Sequence, residues 1–173
     1  MPQIEAIVAI DEECGMAKDG KIPWKNEEDM KFFREKTIGN IIIMGSKTLL
    51  SLPNKAPLKN RFNIVLTNNK QDFLEKYSSY NNIIFYNYDE VMDFINNNET
   101  NKTIYVIGGK QIYDLLIPIC DRIWISVIPG NYNCDIKLDI DVMKYDVSIH
   151  QNADVNAHTS FNLYCLTKIF YKK

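Results

Sequence analysis

Apolar runs with the length of β-strands recur along the chain and alternate with short helical patterns. The strand-like segments are 3–10, 41–45, 62–67, 82–86, 103–109, 122–128, about 145–150 and 161–171. The helical patterns are 26–37, 46–52, 89–97 and 110–117. This alternation predicts an α/β fold with a central, mostly parallel eight-stranded sheet flanked by about four helices. The last two strands have no helix between them, so we expect an antiparallel C-terminal edge, within a single domain over residues 1–173.

One acidic residue of the first helical pattern lies on its apolar side. At about 100° per residue, most charged residues of 25–35 gather on one broad side, whereas Asp29 lies opposite them. Its neighbours on that side are Met30, Phe33 and Thr37. Burying a carboxylate is costly unless hydrogen bonds offset the lost hydration, so we expect a core partner or a ligand with two adjacent N–H donors. Burial between Phe32 and Phe33 should also raise the pKa of Asp29.

Two glycine turns follow predicted strands and open predicted helices. The first is Gly45-Ser46-Lys47-Thr48, and the second is Gly108-Gly109-Lys110-Gln111. The backbone N–H groups at such a turn suit a phosphate, and the small residues allow close approach. Either motif alone is more simply a tight strand-to-helix turn, and the first lacks the upstream glycine spacing of a Walker loop. Two of them in one small sheet favour a dinucleotide.

Composition narrows the class of protein. The chain has 173 residues, of which 46% are hydrophobic and 24% charged, with a formal net charge of −2. We see no basic patch and expect no nucleic-acid partner. The four cysteines are far apart and form no CxxC pair, so we expect neither a metal site nor a disulfide framework. Without a basic leader or a run of about 18 apolar residues, we expect no membrane partner and a cytoplasmic location.

Six short segments follow one another in a recognisable order and spacing. They are IVAID (7–11), GMAKDGKIPW (15–24), EDMKFFREKT (28–37), IIMGSKTLLSLP (42–53), PLKNRFNIVLT (57–67) and IYVIGGKQIY (104–113). Together they give the chain a resemblance to the dihydrofolate reductase family, which covers nearly the whole chain and is weaker between 68 and 102 and after 130. The resemblance implies reduction of 7,8-dihydrofolate to 5,6,7,8-tetrahydrofolate by hydride transfer from NADPH, in one-carbon and thymidylate metabolism, by a monomer.

The resemblance also implies roles for residues around the substrate. Asp29 would be the catalytic acid position, accepting hydrogen bonds from N3 and the 2-amino group of the pterin while a water brings the proton to N5. Arg61 would pair with the α-carboxylate of the glutamate tail, which suits its planar fork. Ser126 would supply a hydroxyl linked to Asp29. The other implied substrate contacts are Ile7, Val8, Met30, Phe33, Leu52, Leu58, Ile107 and Tyr113.

A second set of implied residues surrounds the cofactor. Thr48 and the Gly108–Gly109 turn would hold the pyrophosphate, and the resemblance implies a cis peptide between the two glycines. Ile22 would lie in a mobile lid, residues 15–24, in which Gly15 and Gly20 would permit movement. The other implied cofactor contacts are Ala9, Met16, Gly45, Ser46, Lys47, Leu66, Thr67, Asn68, Lys110, Gln111 and Ile112.

The chain departs from the family pattern where the 2′-phosphate of NADPH would bind. Ser46 stands where the family usually has Arg or Lys, and Gln111 where it can have Arg, so Lys47 would be the main remaining charge. Two alternatives use the same scaffold. A pyrimidine reductase of riboflavin synthesis would need neither the IPW…D pattern nor Arg61, and a non-catalytic pterin- or nucleotide-binding module would not need to keep Asp29 and the glycines.

Overall fold

A computed structural model describes residues 1–151 and 160–169 of the protein. This part of the chain contains the following ten strands: β1 (Ile4–Asp11), β2 (Gly15–Ala17), β3 (Ile41–Gly45), β4 (Phe62–Leu66), β5 (Ile83–Tyr86), β6 (Ile104–Gly108), β7 (Arg122–Ile128), β8 (Ile136–Lys137), β9 (Tyr145–Gln151) and β10 (Asn162–Lys168). It contains five α-helices: α1 (Glu27–Thr37), α2 (Ser46–Ser51), α3 (Gln71–Leu74), α4 (Tyr88–Asn97) and α5 (Lys110–Leu116). Short 3₁₀ turns cover Pro53–Lys55, Ile117–Ile119 and Val142–Lys144.

Eight of the strands form one sheet in the order β5-β4-β3-β6-β1-β7-β10-β9. The β3–β4, β3–β6 and β4–β5 pairs are parallel, and β10 pairs antiparallel with both β7 and β9. The remaining strands, β2 and β8, form a separate two-stranded antiparallel ribbon. The mixed α/β fold with an antiparallel C-terminal edge is therefore confirmed.

The chain divides by internal contacts into two compact units. Unit 1 comprises Met1–Glu5 and Thr37–Ile119, and unit 2 comprises Ala6–Lys36 and Cys120–Lys173. The single domain expected from the sequence stays a prediction.

Unit 1 is built on strands whose side chains are buried along nearly their whole length. Every residue of β3 is buried, as are Ile64, Val65 and Val106 in the strands beside it. Continuous burial of this kind is typical of parallel strands that are covered on both faces. Helix α4 begins with a capping box, in which the Asn87 side chain and the Glu90 side chain each bind the other residue's backbone N–H.

A buried amide holds the loop before β4. Asn63 is fully buried, and its Oδ1 accepts a hydrogen bond from the backbone N of Leu58 at 2.9 Å. Its Nδ2 donates to the carbonyls of Leu58 and Arg61, each at 3.0 Å. Because loop carbonyls and N–H groups need partners when buried, this side chain fixes the conformation of residues 58–61.

Unit 2 contains β1 from Ala6 onward, nearly all of α1, the antiparallel strands β7, β10 and β9, and the β2–β8 ribbon. Its core includes Ile123, Phe161 and Leu166, all at most 3% exposed. In β9, at the edge of the sheet, Val147 and Ile149 are exposed. None of the helices in the described ranges has the length and apolar character that a membrane span needs.

The predicted strands and helices agree with the structure to within one or two residues at most ends. Three elements were missed: β2, β8 and α3, which contain three, two and four residues. Elements this short contain little more than one repeat of the apolar pattern, which is too few to recognise. The predicted strand 161–171 is observed as β10, and its last two residues lie outside the described part of the chain.

Candidate active site

The first turn of α1 is fixed by its own cap and by a distant serine. Asn26 Oδ1 accepts a hydrogen bond from the backbone N of Asp29 at 3.0 Å, as an N-cap residue does. Asn26 Nδ2 donates to the carbonyl of Ser160 at 3.0 Å, and the backbone N of Ser160 donates to Glu28 Oε2 at 3.0 Å. These bonds set where the helix starts and hence where Asp29 points.

Asp29 is half-buried and hydrogen-bonded to a fully buried hydroxyl. Ser126, in the middle of β7, is 1% exposed and donates to the Asp29 carboxylate. Burial raises the pKa of Asp29 above its ordinary value of 3.8, and the Ser126 hydrogen bond offsets only part of that rise. Since an acid with a raised folded-state pKa holds its proton more tightly than the unfolded chain does, this group costs stability as pH rises from 3.8 through the folded-state pKa. The predicted direction of the pKa shift is confirmed.

Aromatic contacts hold α1 against the strands of unit 2. The Phe32 ring lies 6.1 Å from the Trp124 ring and 6.3 Å from the Phe161 ring, between centroids. Lys36 Nζ lies 3.9 Å from the centroid of the Trp124 ring, a cation–π contact. Phe32 and Lys36 thus anchor the helix on either side of Phe33, which is half-buried.

Met30, which the sequence places on the apolar side of α1, is not covered by the protein. Met30 is 59% exposed, whereas Thr37 is fully buried. Met30 lies about 100° round the helix from Asp29, at the edge of the apolar arc, because successive residues are that far apart. An exposed apolar side chain beside the acid is free to contact a ligand.

The other predicted residues of unit 2 lie on β1 and in the segment after it. Ile7 and Val8 are each 5% exposed in β1, and Ala9 is half-buried. Met16 is buried in β2, whereas Ile22 is 64% exposed. Gly20 has a φ of +76°, which favours glycine, with open space around its Cα.

In unit 1, Arg61 is held by hydrogen bonds from its own guanidinium group. Its Nη1 donates to Thr37 Oγ1 at 3.1 Å and its Nε donates to the carbonyl of Lys59 at 2.9 Å. These bonds, together with the hydrogen bond from Asn63 to the Arg61 carbonyl, hold the guanidinium group in one orientation. The predicted apolar contacts Leu52, Leu58 and Ile107 are half-buried, and Tyr113 is 4% exposed.

The Gly108–Gly109 peptide of unit 1 is cis, as expected. A Cβ on Gly108 would lie 3.3 Å from the Tyr113 ring, and Gly108 has a φ of +122°. A Cβ on Gly45 would lie 3.0 Å from Ile112 Cγ1. At Gly109 the nearest atom to such a Cβ would be Thr48 Oγ1 at 3.7 Å, so this glycine leaves space over the turn.

These glycines fit a group that approaches the backbone closely, as a pyrophosphate does. The two helices that follow are only six and seven residues long, so the turn amides rather than a helix dipole would supply the interaction. Ser46, Leu66, Thr67 and Asn68 border the same turns, at the ends of β3 and β4.

The lysines near these turns differ in whether they form an ion pair. Lys70 Nζ lies 2.7 Å from Glu90 Oε1, and Lys110 Nζ lies 3.0 Å from Asp114 Oδ1. Within the described ranges, Lys47 is exposed and makes no ion pair. Gln111 is exposed and uncharged. Of these three lysines, Lys47 is therefore the one whose ammonium group has no carboxylate partner among the described residues.

The residue types that commonly bind metals do not cluster in the described part of the chain. In residues 1–151 and 160–169, no three His, Cys, Asp or Glu side chains are grouped so that they could hold a metal ion.

Taken as a class, this is an α/β protein with glycine turns that suit a dinucleotide and a half-buried acid that suits a ligand with N–H donors. A model of the family described as Dihydrofolate reductase matches residues 3–169. Similar proteins include the dihydrofolate reductase of Enterococcus faecium, 31% identical over 147 residues, with 84% of each chain covered. That of Ureaplasma parvum serovar 3 is 29% identical over 149 residues, with 84% of this chain and 90% of the relative covered.

A solved structure is similar over almost the same length. Dihydrofolate reductase from Enterococcus faecalis, complexed with NADP(H) and RAB-propyl, has a TM-score of 0.74 and 26% identity, and 96% of each chain is covered. The chain therefore belongs to the dihydrofolate reductase family.

Sequence reasoning missed several residues that position this site. Asn26, Glu28 and Ser160 were not identified as a group, and neither was the Asn63 amide that supports Arg61. An asparagine three residues before Asp29 is a recognisable N-cap signal. The contacts of Ser160 and Asn63 join residues that are not linked by any local pattern.

Proposed function

We propose that this protein reduces 7,8-dihydrofolate to 5,6,7,8-tetrahydrofolate with NADPH. The observation that carries the proposal is the half-buried Asp29 carboxylate bound by Ser126, in a chain of the dihydrofolate reductase family. NADP(H) is present in the similar structure from Enterococcus faecalis, which supports the choice of cofactor. The pyrimidine reductase of riboflavin synthesis and the non-catalytic module are not favoured, because Asp29, Arg61 and the glycine turns are all kept.

Substrate recognition rests on two polar side chains. Asp29 accepts hydrogen bonds from N3 and the 2-amino group of the pterin, which the two acceptor oxygens of a carboxylate are suited to do. Arg61 binds the α-carboxylate of the glutamate tail as a bidentate partner. The apolar walls and backbone carbonyls around the rings come from Ile7, Val8, Met30, Phe33, Leu52, Leu58, Ile107 and Tyr113.

Cofactor recognition uses the glycine turns. Thr48, Gly108 and Gly109 hold the pyrophosphate, and Lys47 carries most of the positive charge toward the 2′-phosphate. When bound, NADPH supplies a hydride from its nicotinamide C4 to C6 of the substrate, and solvent supplies one proton to N5. The remaining contacts are Ala9, Met16, Ile22, Gly45, Ser46, Leu66, Thr67, Asn68, Lys110, Gln111 and Ile112.

The chain contributes orientation, electrostatics and water exclusion. Asp29 fixes the pterin ring in one orientation, and its negative charge favours the N5-protonated substrate, to which a water brings the proton. Residues 15–24 close over the reacting rings and limit the access of bulk water. We further propose that the protein acts as a cytoplasmic monomer without a nucleic-acid partner.

Replacing Asp29 tests the proposed activity most simply. Asp29→Asn keeps the size but loses the charge and one acceptor, so dihydrofolate-dependent oxidation of NADPH, followed at 340 nm, should fall by about two orders of magnitude or more at pH 7. The defect should shrink at low pH, where substrate arrives already protonated. Glu27→Gln makes the same chemical change at an exposed position of the same turn and should keep its activity. A folded Asp29→Asn protein with near wild-type turnover at pH 7 would contradict the proposal.

Arg61→Leu tests recognition of the substrate's tail. The KM for dihydrofolate should rise by the equivalent of about 2–4 kcal/mol, or roughly 30- to 900-fold. The KM for NADPH should stay nearly constant. A dihydropterin without the glutamate tail is the matched control, because its KM should not change between wild type and variant. If the variant weakens the tail-less substrate equally, Arg61 only maintains the fold.

Lys47→Ala tests recognition of the 2′-phosphate. Loss of one charge-assisted hydrogen bond should weaken NADPH binding by about 1.5–3 kcal/mol, or roughly 10- to 150-fold, and leave NADH binding unchanged. Dissociation constants for both cofactors, measured by fluorescence quenching, give the ratio directly. Lys76→Ala, at another exposed position, serves as the control. A wild type that binds NADPH and NADH equally would show that this phosphate site does not exist.

A further inference from the structure

A second carboxylate of unit 2, Asp11, has hydrogen-bond donors on both of its oxygens. It is the last residue of β1 and is 1% exposed. Its Oδ1 accepts from the backbone N of Glu13 at 2.9 Å and of Gly15 at 2.7 Å. Its Oδ2 accepts from the backbone N of Tyr132 at 3.0 Å and from Cys134 Sγ at 3.6 Å.

The two oxygens serve two different segments of the chain. We name residues 12–24 the lid segment, which is the proposed lid with the turn before it, and residues 129–138 the companion loop. Among the described residues, Oδ1 of Asp11 binds the lid segment and Oδ2 binds the companion loop. One buried side chain therefore joins the root of the lid segment to the companion loop.

The charge of Asp11 strengthens this link. Burial alone would raise the pKa of the Asp11 carboxyl, but the hydrogen bonds from Tyr132, Gly15, Glu13 and Cys134 outweigh it and hold the pKa below its ordinary value. Burial and the neighbouring Asp11 carboxylate raise the pKa of the Cys134 thiol, so Cys134 stays protonated and acts as a donor. All four contacts are thus charge-assisted at neutral pH.

The turn that Asp11 holds contains a residue in an unfavourable backbone conformation. Cys14, between the two residues bound by Oδ1, has a φ of +61°, a region that residues other than glycine adopt only at an energetic cost. The hydrogen bonds on either side of Cys14 hold the turn in this conformation.

Gly15 is needed for close packing at the same point. A Cβ on Gly15 would lie 2.5 Å from Cys134 Cβ, 2.6 Å from Cys134 Sγ and 2.8 Å from Asp11 Oδ1. Gly15 therefore has a packing role here, and its expected part in lid movement stays a prediction. Its missing side chain lets the lid segment lie directly against the companion loop.

Further contacts continue the attachment along the lid segment. Leu138 N donates to the carbonyl of Cys14 at 2.9 Å, and Asp135 N donates to the carbonyl of Ala17 at 3.0 Å. The Trp24 and Tyr132 rings meet edge to face at 5.4 Å. Among the carboxylates that bridge the two segments in the described part of unit 2, Asp11 is the buried one, since Asp135 is exposed.

We propose that Asp11 is a positioning residue that sets the working geometry of the lid segment and thereby the rate of hydride transfer. This inference rests on the proposed function, because it takes residues 15–24 to close over the reacting rings. Asp11 touches neither substrate nor cofactor in this scheme. It acts through Gly15 and Tyr132, and the side chains assigned to substrate binding do not depend on it.

The test compares Asp11→Asn with wild type in single-turnover hydride transfer and in dihydrofolate binding. The amide turns one acceptor into a donor that faces backbone N–H groups, so hydride transfer should slow at least tenfold. The Kd for dihydrofolate should stay within twofold. Amide hydrogen exchange should rise in residues 12–17 and 130–137 and stay unchanged in β9 and β10. Glu12→Gln, an exposed charge in the same turn, should match wild type.

The Cys134 position supplies a milder pair of variants that keeps the test decisive if Asp11→Asn does not fold. Cys134→Ala removes one donor and should give an intermediate loss of hydride transfer, whereas Cys134→Ser keeps a donor and should restore the rate. A fall in thermal stability with unchanged hydride transfer in the folded protein would overturn the proposal, and so would equal rates for the two Cys134 variants. If wild type shows no dihydrofolate reduction, the proposed function fails, and the exchange data still report whether Asp11 holds the lid segment.

Discussion

The hydrogen bond between the Ser126 hydroxyl and the half-buried Asp29 carboxylate is the interaction on which the site depends. It links α1 to β7 inside unit 2, and the N-cap of Asn26 and the ring contacts of Phe32 fix the helix around it. In the described part of the chain the donor to this carboxylate is Ser126, and its reduced hydration favours further hydrogen bonds. A substrate that presents two N–H groups would supply them in the proposed function.

Two carboxylates of unit 2, the buried Asp11 and the half-buried Asp29, have opposite shifts in pKa. Asp11 receives four donors and its pKa is lowered, whereas Asp29 has a donor from Ser126 and its pKa is raised. Burial raises the pKa of both groups, so the hydrogen bonds decide the sign. The contrast agrees with the proposed roles, in which Asp11 organises the backbone around it and Asp29 binds a ligand.

The sequence predicted those features that repeat along the chain or depend on residue type. The 3.6-residue period identified Asp29 as an acid on an apolar face, and the strand–glycine–helix pattern located the turns at Gly45 and Gly108. It could not show that Asp11 binds Cys134 or that Asn26 binds Ser160, because these contacts join residues 123 and 134 positions apart. It could not show that Gly15 packs against Cys134, because a missing side chain looks the same in sequence whether it permits movement or close packing.

The most direct test of the account is the pKa of Asp29 itself in the free protein. The side-chain carboxyl carbon can be followed by ¹³C NMR across a pH titration, with Asp29→Asn to assign the signal. The account predicts a pKa above 3.8, and a further rise in Ser126→Ala, which loses the donor that favours the charged form. A pKa at or below 3.8, or one that Ser126→Ala leaves unchanged, would contradict the view that burial and this single hydrogen bond define the acid.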